Sequence, residues 1–522
     1  MTHTSPTETR TLIDELLTEQ RSLTAVTRFA QKHEAAEIPL QERFYRDLLP
    51  LAKPQPGEQY AFEVDLDRCT GCKACVAACH SLNGLEDDES WRAVGLLVSG
   101  EPAEPFQQTV TTACHHCIDP GCLHGCPVLA YEKDEATGIV RHLDDQCIGC
   151  QYCVLKCPYE VPRYSDRLGI VRKCDMCTNR LSVGEAPACV QSCPNEAIRI
   201  TVVNKIAVAQ QHIQTESFLP ATPDPRHTVP STRYISMRAL PDNIQAADAA
   251  HLTPAAGHHP LVFMLVLTQA SVGAMVCALA RQWAGQPESL PLLAAAALFG
   301  LGGIAASILH LGRPLHAWRA LLGVRRSWLS REILAFGAYA PSVLLLLATE
   351  VLPIPSLQTP ALIGAAASGL LALFCSIMVY SDTPREFWSF GRTAPRFIGT
   401  AALLGLAMWT LFDPAPGLFA AITAAAILKF GLELALFRHL GQGGSRALKR
   451  SAMLQSDALL SWTIARVLTL LAGGVGLAQY ASATGNPMAA PVLFGLLLAS
   501  ELIERVLFFR SVAQPIMPGG IR

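Results

Sequence analysis

Sixteen of the 18 cysteines are crowded between Cys69 and Cys193, and this crowding restricts the fold more than any other feature of the 522-residue chain. So many cysteines in so short a stretch indicate a covalent or metal framework. They fall into four groups of four: Cys69, Cys72, Cys75 and Cys79; Cys114, Cys117, Cys122 and Cys126; Cys147, Cys150, Cys153 and Cys157; and Cys174, Cys177, Cys189 and Cys193. Each group is a variant of the CxxCxxCxxxCP run that binds a cubane iron–sulfur cluster through thiolates.

The spacing within a group has a physical reason. Three cysteines two residues apart wrap a loop around one corner of a cube, and the backbone N–H groups of that loop can point at the sulfurs. The fourth cysteine, which precedes Pro127, Pro158 or Pro194 in three of the groups, supplies a ligand to a second cluster. Zinc and disulfides are the alternatives, but zinc ribbons do not usually repeat four cysteines at this spacing, and a reducing cytoplasm disfavours disulfides. Sixteen thiolates at four per cluster therefore predict four 4Fe-4S clusters.

The chain after Pro260 consists of long apolar runs separated by loops with Gly, Pro and charge. Each run approaches the roughly 20 residues that a helix needs to cross a bilayer. The eight runs cover about 261–280, 290–310, 329–350, 360–380, 396–412, 416–438, 459–480 and 488–508. Half of all residues are hydrophobic and 16% are charged, which excludes a disordered chain, and the net charge of −2 argues against a nucleic-acid binder. The sequence therefore predicts an all-α bundle of eight transmembrane helices.

The positive charges predict the orientation of this bundle. They are concentrated in the loops after the second, fourth and sixth runs, of which the first holds Arg313, Arg319, Arg325 and Arg326. The opposite loops offer only Arg281. The positive-inside rule places the basic loops, both termini and the cysteine region in the cytoplasm. The first residues contain neither a secretory nor a twin-arginine signal, which agrees with this side, and we expect a multi-pass protein of the bacterial inner (cytoplasmic) membrane.

Composition divides the chain into four parts. Residues 1–58 form an N-terminal helical arm, 59–205 the cysteine domain, 206–258 an extended linker or docking segment with little packing of its own, and 259–522 the membrane anchor. Within the arm, the spacing of Leu12, Ile13, Leu16 and Leu17 predicts a short amphipathic helix. This helix either packs on its own domain or docks a partner.

The four cysteine motifs resemble those of the four-cluster electron-transfer subunit of DMSO reductase-type molybdoenzymes. The apolar half is similar to the eight-helix membrane anchor of the same system, on the segments HLGRPLHAWRALLGVRRSWLSREI and YSDTPREFWSFGRTAPRFIGTAALLG. The resemblance implies a fusion of two subunits, an α+β double ferredoxin-like iron–sulfur domain followed by the helical anchor. It also implies four ligand sets: Cys69, Cys72 and Cys75 with Cys193; Cys174, Cys177 and Cys189 with Cys79; Cys114, Cys117 and Cys122 with Cys157; and Cys147, Cys150 and Cys153 with Cys126.

In the family's anchor, a His before a Leu-Gly pair and a Glu after an Arg/Ser-rich stretch are associated with the quinone site. His310 and Glu332 match these positions. Quinone exchanges protons as well as electrons, and an imidazole and a carboxylate near a membrane surface can carry protons. The alternative for His310 is an ordinary interfacial histidine. Histidines do not face each other in mid-span, so no haem is expected.

Other ionisable groups lie within the spans and are either structural ion pairs or parts of a proton route. They are Lys429, Glu433, Arg466, Glu501 and Glu504. Lys429 and Glu433 are one helical turn apart and could pair with each other.

The chain offers no catalytic nucleophile, nucleotide loop or pterin domain of its own. It is therefore predicted to connect a large molybdopterin catalytic subunit, which by resemblance carries molybdenum bis-pterin, to the membrane quinone pool. A cytoplasmic face is similar to that of sulfite:quinone oxidoreductases, which implies sulfite oxidation with quinone reduction. The alternatives are a quinol-oxidising subunit of a sulfoxide or polysulfide reductase and an ion-translocating protein with a regulatory iron–sulfur domain.

Overall fold

The computed structural model describes most of the chain, namely residues 11–22, 31–32, 35–36, 42–99, 105–214, 218–286, 289–352, 354–441, 445–513 and 516–519. Of the N-terminal arm it includes α1 (Leu12–Ser22) and the short α2 (Glu42–Tyr45). The apolar side chains that predicted an amphipathic helix lie exposed on α1, whereas Tyr45 is buried in the core of the cysteine domain. Residues 1–10, 23–30, 33–34 and 37–41 of the arm lie outside the described parts.

The cysteine domain begins and ends in one three-stranded sheet. Its central strand β1 lies between β8, which is antiparallel, and the short β9, which is parallel. Glu58 at the start of β1 pairs with Asn204 at the end of β8, so the first and last residues of the domain are neighbours. The strands are β1 (Glu58–Asp65), β8 (Ile198–Asn204) and β9 (Arg233–Ile235).

Between β1 and β8 the chain forms two strands of a second sheet, two hairpins and five short helices, and the third strand of that sheet, β10, follows β9. The second sheet has the order β10-β2-β3, and the hairpins pair β4 with β5 and β6 with β7. The remaining strands are β2 (Ala93–Ser99), β3 (Gln107–Thr112), β4 (Tyr131–Lys133), β5 (Val140–His142), β6 (Arg163–Ser165), β7 (Ile170–Arg172) and β10 (Ile244–Ala246). The helices are α3 (Ala74–Asn83), α4 (Gly121–Gly125), α5 (Tyr152–Lys156), α6 (Thr178–Ser182) and α7 (Ala188–Gln191). Each begins beside or within a cysteine group.

The segment 206–258 packs more than its composition predicts. It continues α8 (Lys205–Gln214) and then adds β9 to the first sheet and β10 to the second. The end of the polypeptide returns to the same sheet, where the Leu96 N–H donates to the carbonyl of Gly519 at 2.9 Å and Met517 is buried. The connector and the C-terminal residues therefore complete the cysteine domain.

The rest of the chain is helical. The helices are α9 (His259–Trp283), α10 (Leu290–Ile308), α11 (Trp328–Val351), α12 (Pro355–Ser381), α13 (Phe390–Thr410), α14 (Pro416–Leu434), α15 (Arg446–Ser456), α16 (Leu460–Leu470), α17 (Ala478–Thr484) and α18 (Ala489–Arg510). A π-helical turn at Leu471–Leu477 joins α16 to α17. Helix α9 packs against α10, α12, α13 and α18, and it approaches α13 so closely that a Cβ atom on Gly273 would lie 1.8 Å from the Ala401 carbonyl oxygen.

Among the described residues, six helices are long and apolar enough to cross a membrane. They are α9, α10, α11, α12, α14 with its continuation to Leu440, and the joined α16 and α17. The other two predicted spans lie within α13 and α18, helices of 21 and 22 residues that carry charged side chains inside the bundle. Six membrane helices thus meet the length and composition of a span, and α13 and α18 are not among them.

Candidate functional site

The sixteen clustered cysteines are free thiols that converge in mixed sets. One small cavity is lined by Cys69, Cys72, Cys75 and Cys193, and a second by Cys79, Cys174, Cys177 and Cys189. In both, three cysteines come from one motif and the fourth from another. The first and fourth motifs, 95 positions apart in sequence between Cys79 and Cys174, therefore exchange their last cysteines in space.

The second and third motifs make the same exchange. The Cys117 thiol interacts electrostatically with Cys114, Cys122 and Cys157. The Cys153 thiol interacts in the same way with the other set, Cys126, Cys147 and Cys150. The four sets implied by the family resemblance are thus the sets that the fold brings together.

Tight loops aim backbone N–H groups at these sulfurs. The Ala130 N–H lies 3.2 Å from Cys126 Sγ, and the Gly149 N–H lies 3.4 Å from Cys147 Sγ. Left-handed residues produce these turns, and they include the non-glycine residues Lys73 (φ 61°) and Gln151 (φ 58°), each directly after the second cysteine of its motif. Such backbone strain is retained where a functional loop requires it.

Burial opposes the ionisation of several of these thiols. Burial raises the pKa of Cys79 to about 12 and that of Cys126 to about 11, with neighbouring thiols adding to the effect at Cys79. Two buried cations counter it: Arg92 interacts with four thiols of the first and fourth motifs, and Lys173 Nζ lies 3.7 Å from Cys114 Sγ. Thiolates at these positions therefore need a cationic partner such as a bound metal. Neither cation is predicted by the cysteine motifs, although Lys173 directly precedes Cys174.

A cavity of about 340 Å³ lies where the cysteine domain meets the helical bundle. Cys150 and Tyr152 line it from the third cysteine motif, and His310 and Glu332 line it from the anchor. The remaining wall is mainly apolar, with Met264, Ile304, Leu329, Phe336 and Ala340 among its residues. The two residues predicted for quinone thus share one cavity with a cysteine predicted as a cluster ligand.

Hydrogen bonds fix the polar groups of this cavity. The His310 imidazole bonds to the backbone of Cys150, and burial lowers the pKa of this imidazole. The Glu332 side chain is 5% exposed, and its Oε1 atom accepts a hydrogen bond from the Ser376 hydroxyl. The cavity also contains His258, which sequence analysis missed, with its ring centroid 5.5 Å from that of His310. Burial lowers the pKa of His258 to about 4, so this imidazole is neutral at pH 7.

The cysteine domain contacts the anchor through close backbone approach beside this cavity. A Cβ atom on Gly312 would lie 2.2 Å from the Gly169 carbonyl oxygen. The Arg313 N–H donates to the Ile148 carbonyl at 3.0 Å, and the Tyr152 hydroxyl donates to the Val379 carbonyl at 2.9 Å. These contacts hold the third cysteine motif, which contains Cys150, against the part of the anchor that contains His310.

The ionisable groups within the predicted spans form ion pairs. Lys429 Nζ lies 2.8 Å from a Glu501 carboxylate oxygen and 3.2 Å from one of Glu433. Arg466 contacts the same two carboxylates at 3.1 and 3.0 Å. The pairing of Lys429 with Glu433, one helical turn apart, is the one that the sequence indicated.

These observations define a class, an iron–sulfur protein whose cysteine domain is continuous with a multi-helix membrane anchor. Comparison with known proteins identifies the families to which its two regions are similar. Residues 106–203 match the 4Fe-4S dicluster domain family, and residues 255–510 match the DMSO reductase anchor subunit family. The B subunit of the anaerobic dimethyl sulfoxide reductase of Escherichia coli K12 is 37% identical over 156 residues, which cover 28% of the present sequence and 76% of that subunit.

A second relative is a subunit of a different enzyme. The formate dehydrogenase iron–sulfur subunit of Haemophilus influenzae is 36% identical over 153 residues, which cover 26% of the present sequence and 49% of that protein. The chain thus belongs to the family of DMSO reductase iron–sulfur subunits, with a region similar to the family's membrane anchor on the same polypeptide. It is the electron-transfer subunit of an oxidoreductase complex and a multi-pass membrane protein. The predicted resemblance to DMSO reductase-type subunits is confirmed, whereas sulfite as the substrate stays a prediction.

Proposed function

We propose that this protein relays electrons between a molybdopterin catalytic subunit and membrane quinone through four 4Fe-4S clusters. The observation that carries the proposal is the cavity in which Cys150, His310 and Glu332 meet. A cluster held at Cys150 would border a mainly apolar space large enough for a lipid-soluble ring. Electron exchange with quinone then requires no further cofactor, and in particular no haem.

Four clusters fit the thiol sets better than single metal ions do. In the described part of the chain, no three or more His, Cys, Asp or Glu side chains could hold one metal ion together. The thiols of the two sets formed by the first and fourth motifs surround small cavities instead, as ligands at the corners of a multi-iron cube do. When bound, such clusters supply one-electron transfer, while Arg92, Lys173 and the loop N–H groups of the protein offset negative charge near the sulfurs.

At the membrane end, the proposed roles of the side chains concern protons and position. Glu332 would hold or release a proton next to the bound quinone, and Ser376 would orient its carboxylate. His310 would present one nitrogen to the cavity while its hydrogen bond to Cys150 fixes the ring. The apolar wall would exclude water and accept the quinone ring.

The membrane arrangement that we propose includes α13 and α18 as spans, giving eight helices. Their buried charges are paired within the bundle, which makes such helices tolerable in lipid. The Arg-rich loop between α10 and α11 supports a cytoplasmic position of the cysteine domain in the bacterial inner membrane. A partner with molybdenum bis-pterin would bind on that side.

The direction of electron flow has two candidates. A cytoplasmic face favours sulfite oxidation with quinone reduction. Similarity to the B subunit of dimethyl sulfoxide reductase favours the reverse, a quinol-oxidising reductase. Redox titration of the clusters against the quinone pool distinguishes the two, because clusters with potentials well below that of quinone favour quinone reduction.

The test of the quinone site is Glu332→Gln in the full-length protein with reconstituted clusters. We expect the rate at which added quinone reoxidises chemically reduced clusters to fall about 100-fold, which is typical of a lost acid–base group. Stopped-flow absorbance measures this rate, and electron paramagnetic resonance counts the clusters, which should all remain.

The matched control is Glu350→Gln, at the other end of α11 and outside the cavity. This variant should reoxidise at the rate of the parent protein. An unchanged rate in Glu332→Gln would refute the role of this carboxylate, and a colourless protein without iron would refute the whole proposal.

A further inference from the structure

A buried ionic network in the anchor contains more positive than negative groups. The side chains lie on α13, α14, α16 and α18. The cations are Arg396, Lys429, Arg466 and Arg505, and the carboxylates are Glu433, Glu501 and Glu504. Four cations and three carboxylates give a net charge of +1. A buried charge without compensation is strongly destabilising, and in a membrane it is costly to keep.

The excess positive charge lies on Arg396 and Arg505, which share the carboxylate of Glu504. Arg505 also donates to Gln269 and Thr400, whereas Arg396 borders a cavity. Glu433 and Glu501 each contact both Lys429 and Arg466 at 2.8 to 3.2 Å. Arg396 has only Glu504, at 3.7 Å, and Glu504 also pairs with Arg505 at 3.4 Å. Arg396 is 8% exposed, and its buried Nη1 atom has no hydrogen-bond partner among the described residues.

A cavity of about 360 Å³ lies directly beside this guanidinium. It lies at the N-terminus of α13 and is lined by Gly391, Arg392, Arg396, Lys429 and Glu433. The N–H groups of Arg392 and Thr393 already donate to the Ser389 carbonyl, whereas the two N–H groups before them precede the first bonds within the helix. Open space surrounds Gly391, since a Cβ atom there would meet nothing within 4 Å. The Arg392 guanidinium meets the imidazole Nε2 atom of His439 at 3.1 Å. Among the described residues that line the cavity, Glu433 is the only one with a carboxylate, and Lys429 and Arg466 already pair with it.

We propose that this cavity binds the phosphate group of an anionic phospholipid. A phosphate would compensate the excess positive charge, accept hydrogen bonds from Arg396 and from the start of α13, and meet a second guanidinium at Arg392. The surroundings favour a lipid over free phosphate because Phe390 and Leu432, 51% and 50% exposed, offer apolar surface for acyl chains. Basic pockets between transmembrane helices near the cytoplasmic surface are known to take such headgroups. The proposal does not depend on the electron-transfer role.

The test uses the full-length protein in nanodiscs of phosphatidylcholine with or without phosphatidylglycerol. Native mass spectrometry after detergent extraction counts the retained lipids, and a thermal unfolding scan records stability. We expect preferential retention of phosphatidylglycerol and a higher unfolding temperature in its presence. Arg392→Gln should weaken this retention about fivefold, the contribution of one basic side chain at an anionic surface.

Arg438→Gln is the control, because Arg438 is exposed on the segment that follows α14 and does not line the cavity. It should retain as much phosphatidylglycerol as the parent protein. Arg396→Gln should lose more of the retained phosphatidylglycerol than Arg392→Gln. If Arg396→Gln does not fold, the comparison of the parent protein with Arg392→Gln still tests the proposal. Equal retention of both lipids by the parent, or unchanged retention in Arg392→Gln, overturns the proposal. Stabilisation by inorganic phosphate alone, without any preference for phosphatidylglycerol, overturns the lipid as ligand.

Discussion

The cysteine domain and the membrane anchor both bury ionisable groups, but they assemble them at different distances along the sequence. In the cysteine domain, three of the four thiols in each set lie within 16 residues of one another. In the anchor, the contact of Lys429 with Glu501 joins residues 72 positions apart. Short spacing restricts the loop itself, whereas long-range pairing depends on how whole helices pack. The chemistry of the first region can therefore be inferred from a motif, and that of the second requires the fold.

The largest effect that this comparison predicts concerns the cysteines themselves. Cys150→Ser removes a thiolate from the set nearest the membrane cavity, whereas Cys277→Ser changes a buried cysteine in α9 that belongs to none of the four sets. Quinone-dependent reoxidation of the reduced clusters should fall about 100-fold or more in Cys150→Ser, because losing a ligand exceeds the 10- to 100-fold effect typical of outer-shell changes. Iron analysis and stopped-flow absorbance measure both variants.

Cys277→Ser should keep the full iron content and the parental rate. Equal iron content and equal reoxidation rates in the two variants would contradict the division of the cysteines into cluster ligands and core residues.

The same difference between short-range motifs and long-range packing decides which features could be predicted from the sequence. The four cysteine groups came from motif spacing, their division into ligand sets came from the family resemblance, and the six apolar helices came from length and composition. The positions of Arg92 and His258 could not be predicted, since neither belongs to a motif and each meets its partners only through tertiary packing. The packing of the connector could not be predicted either. Short strands such as β9 and β10 show no clear alternation of polar and apolar residues, and they form only beside an existing sheet.

The second prediction concerns stability in the anchor. Glu501→Leu leaves Lys429 and Arg466 with one carboxylate fewer in a fully buried place. We expect the free energy of unfolding to decrease by about 3–5 kcal/mol, as for other buried pairs that lose one partner. Denaturation of the purified protein by sodium dodecyl sulfate measures this change.

Two companion variants identify the cause. Combining Glu501→Leu with Lys429→Met removes a cation together with the carboxylate, so part of the loss should be recovered. Asp457→Asn, an exposed carboxylate after α15, should change stability by less than about 0.5 kcal/mol. A double variant as unstable as the sum of its single changes would mean that packing, and not charge, dominates.

The smallest effect is expected where the two regions meet. At Gly312 the loop after α10 approaches Gly169 of the cysteine domain without room for a side chain, and the added methyl group of Gly312→Ala would displace one backbone from the other. Overpacking of this kind costs about 1–3 kcal/mol. Because the displacement lies next to Cys150 and His310, cluster reoxidation by quinone should slow while the iron content stays constant. Gly302→Ala is the matched control, since a Cβ atom on Gly302 meets nothing within 4 Å. If Gly312→Ala transfers electrons at the parental rate, the contact between the regions determines stability only, and the distance from cluster to cavity tolerates movement of the loop.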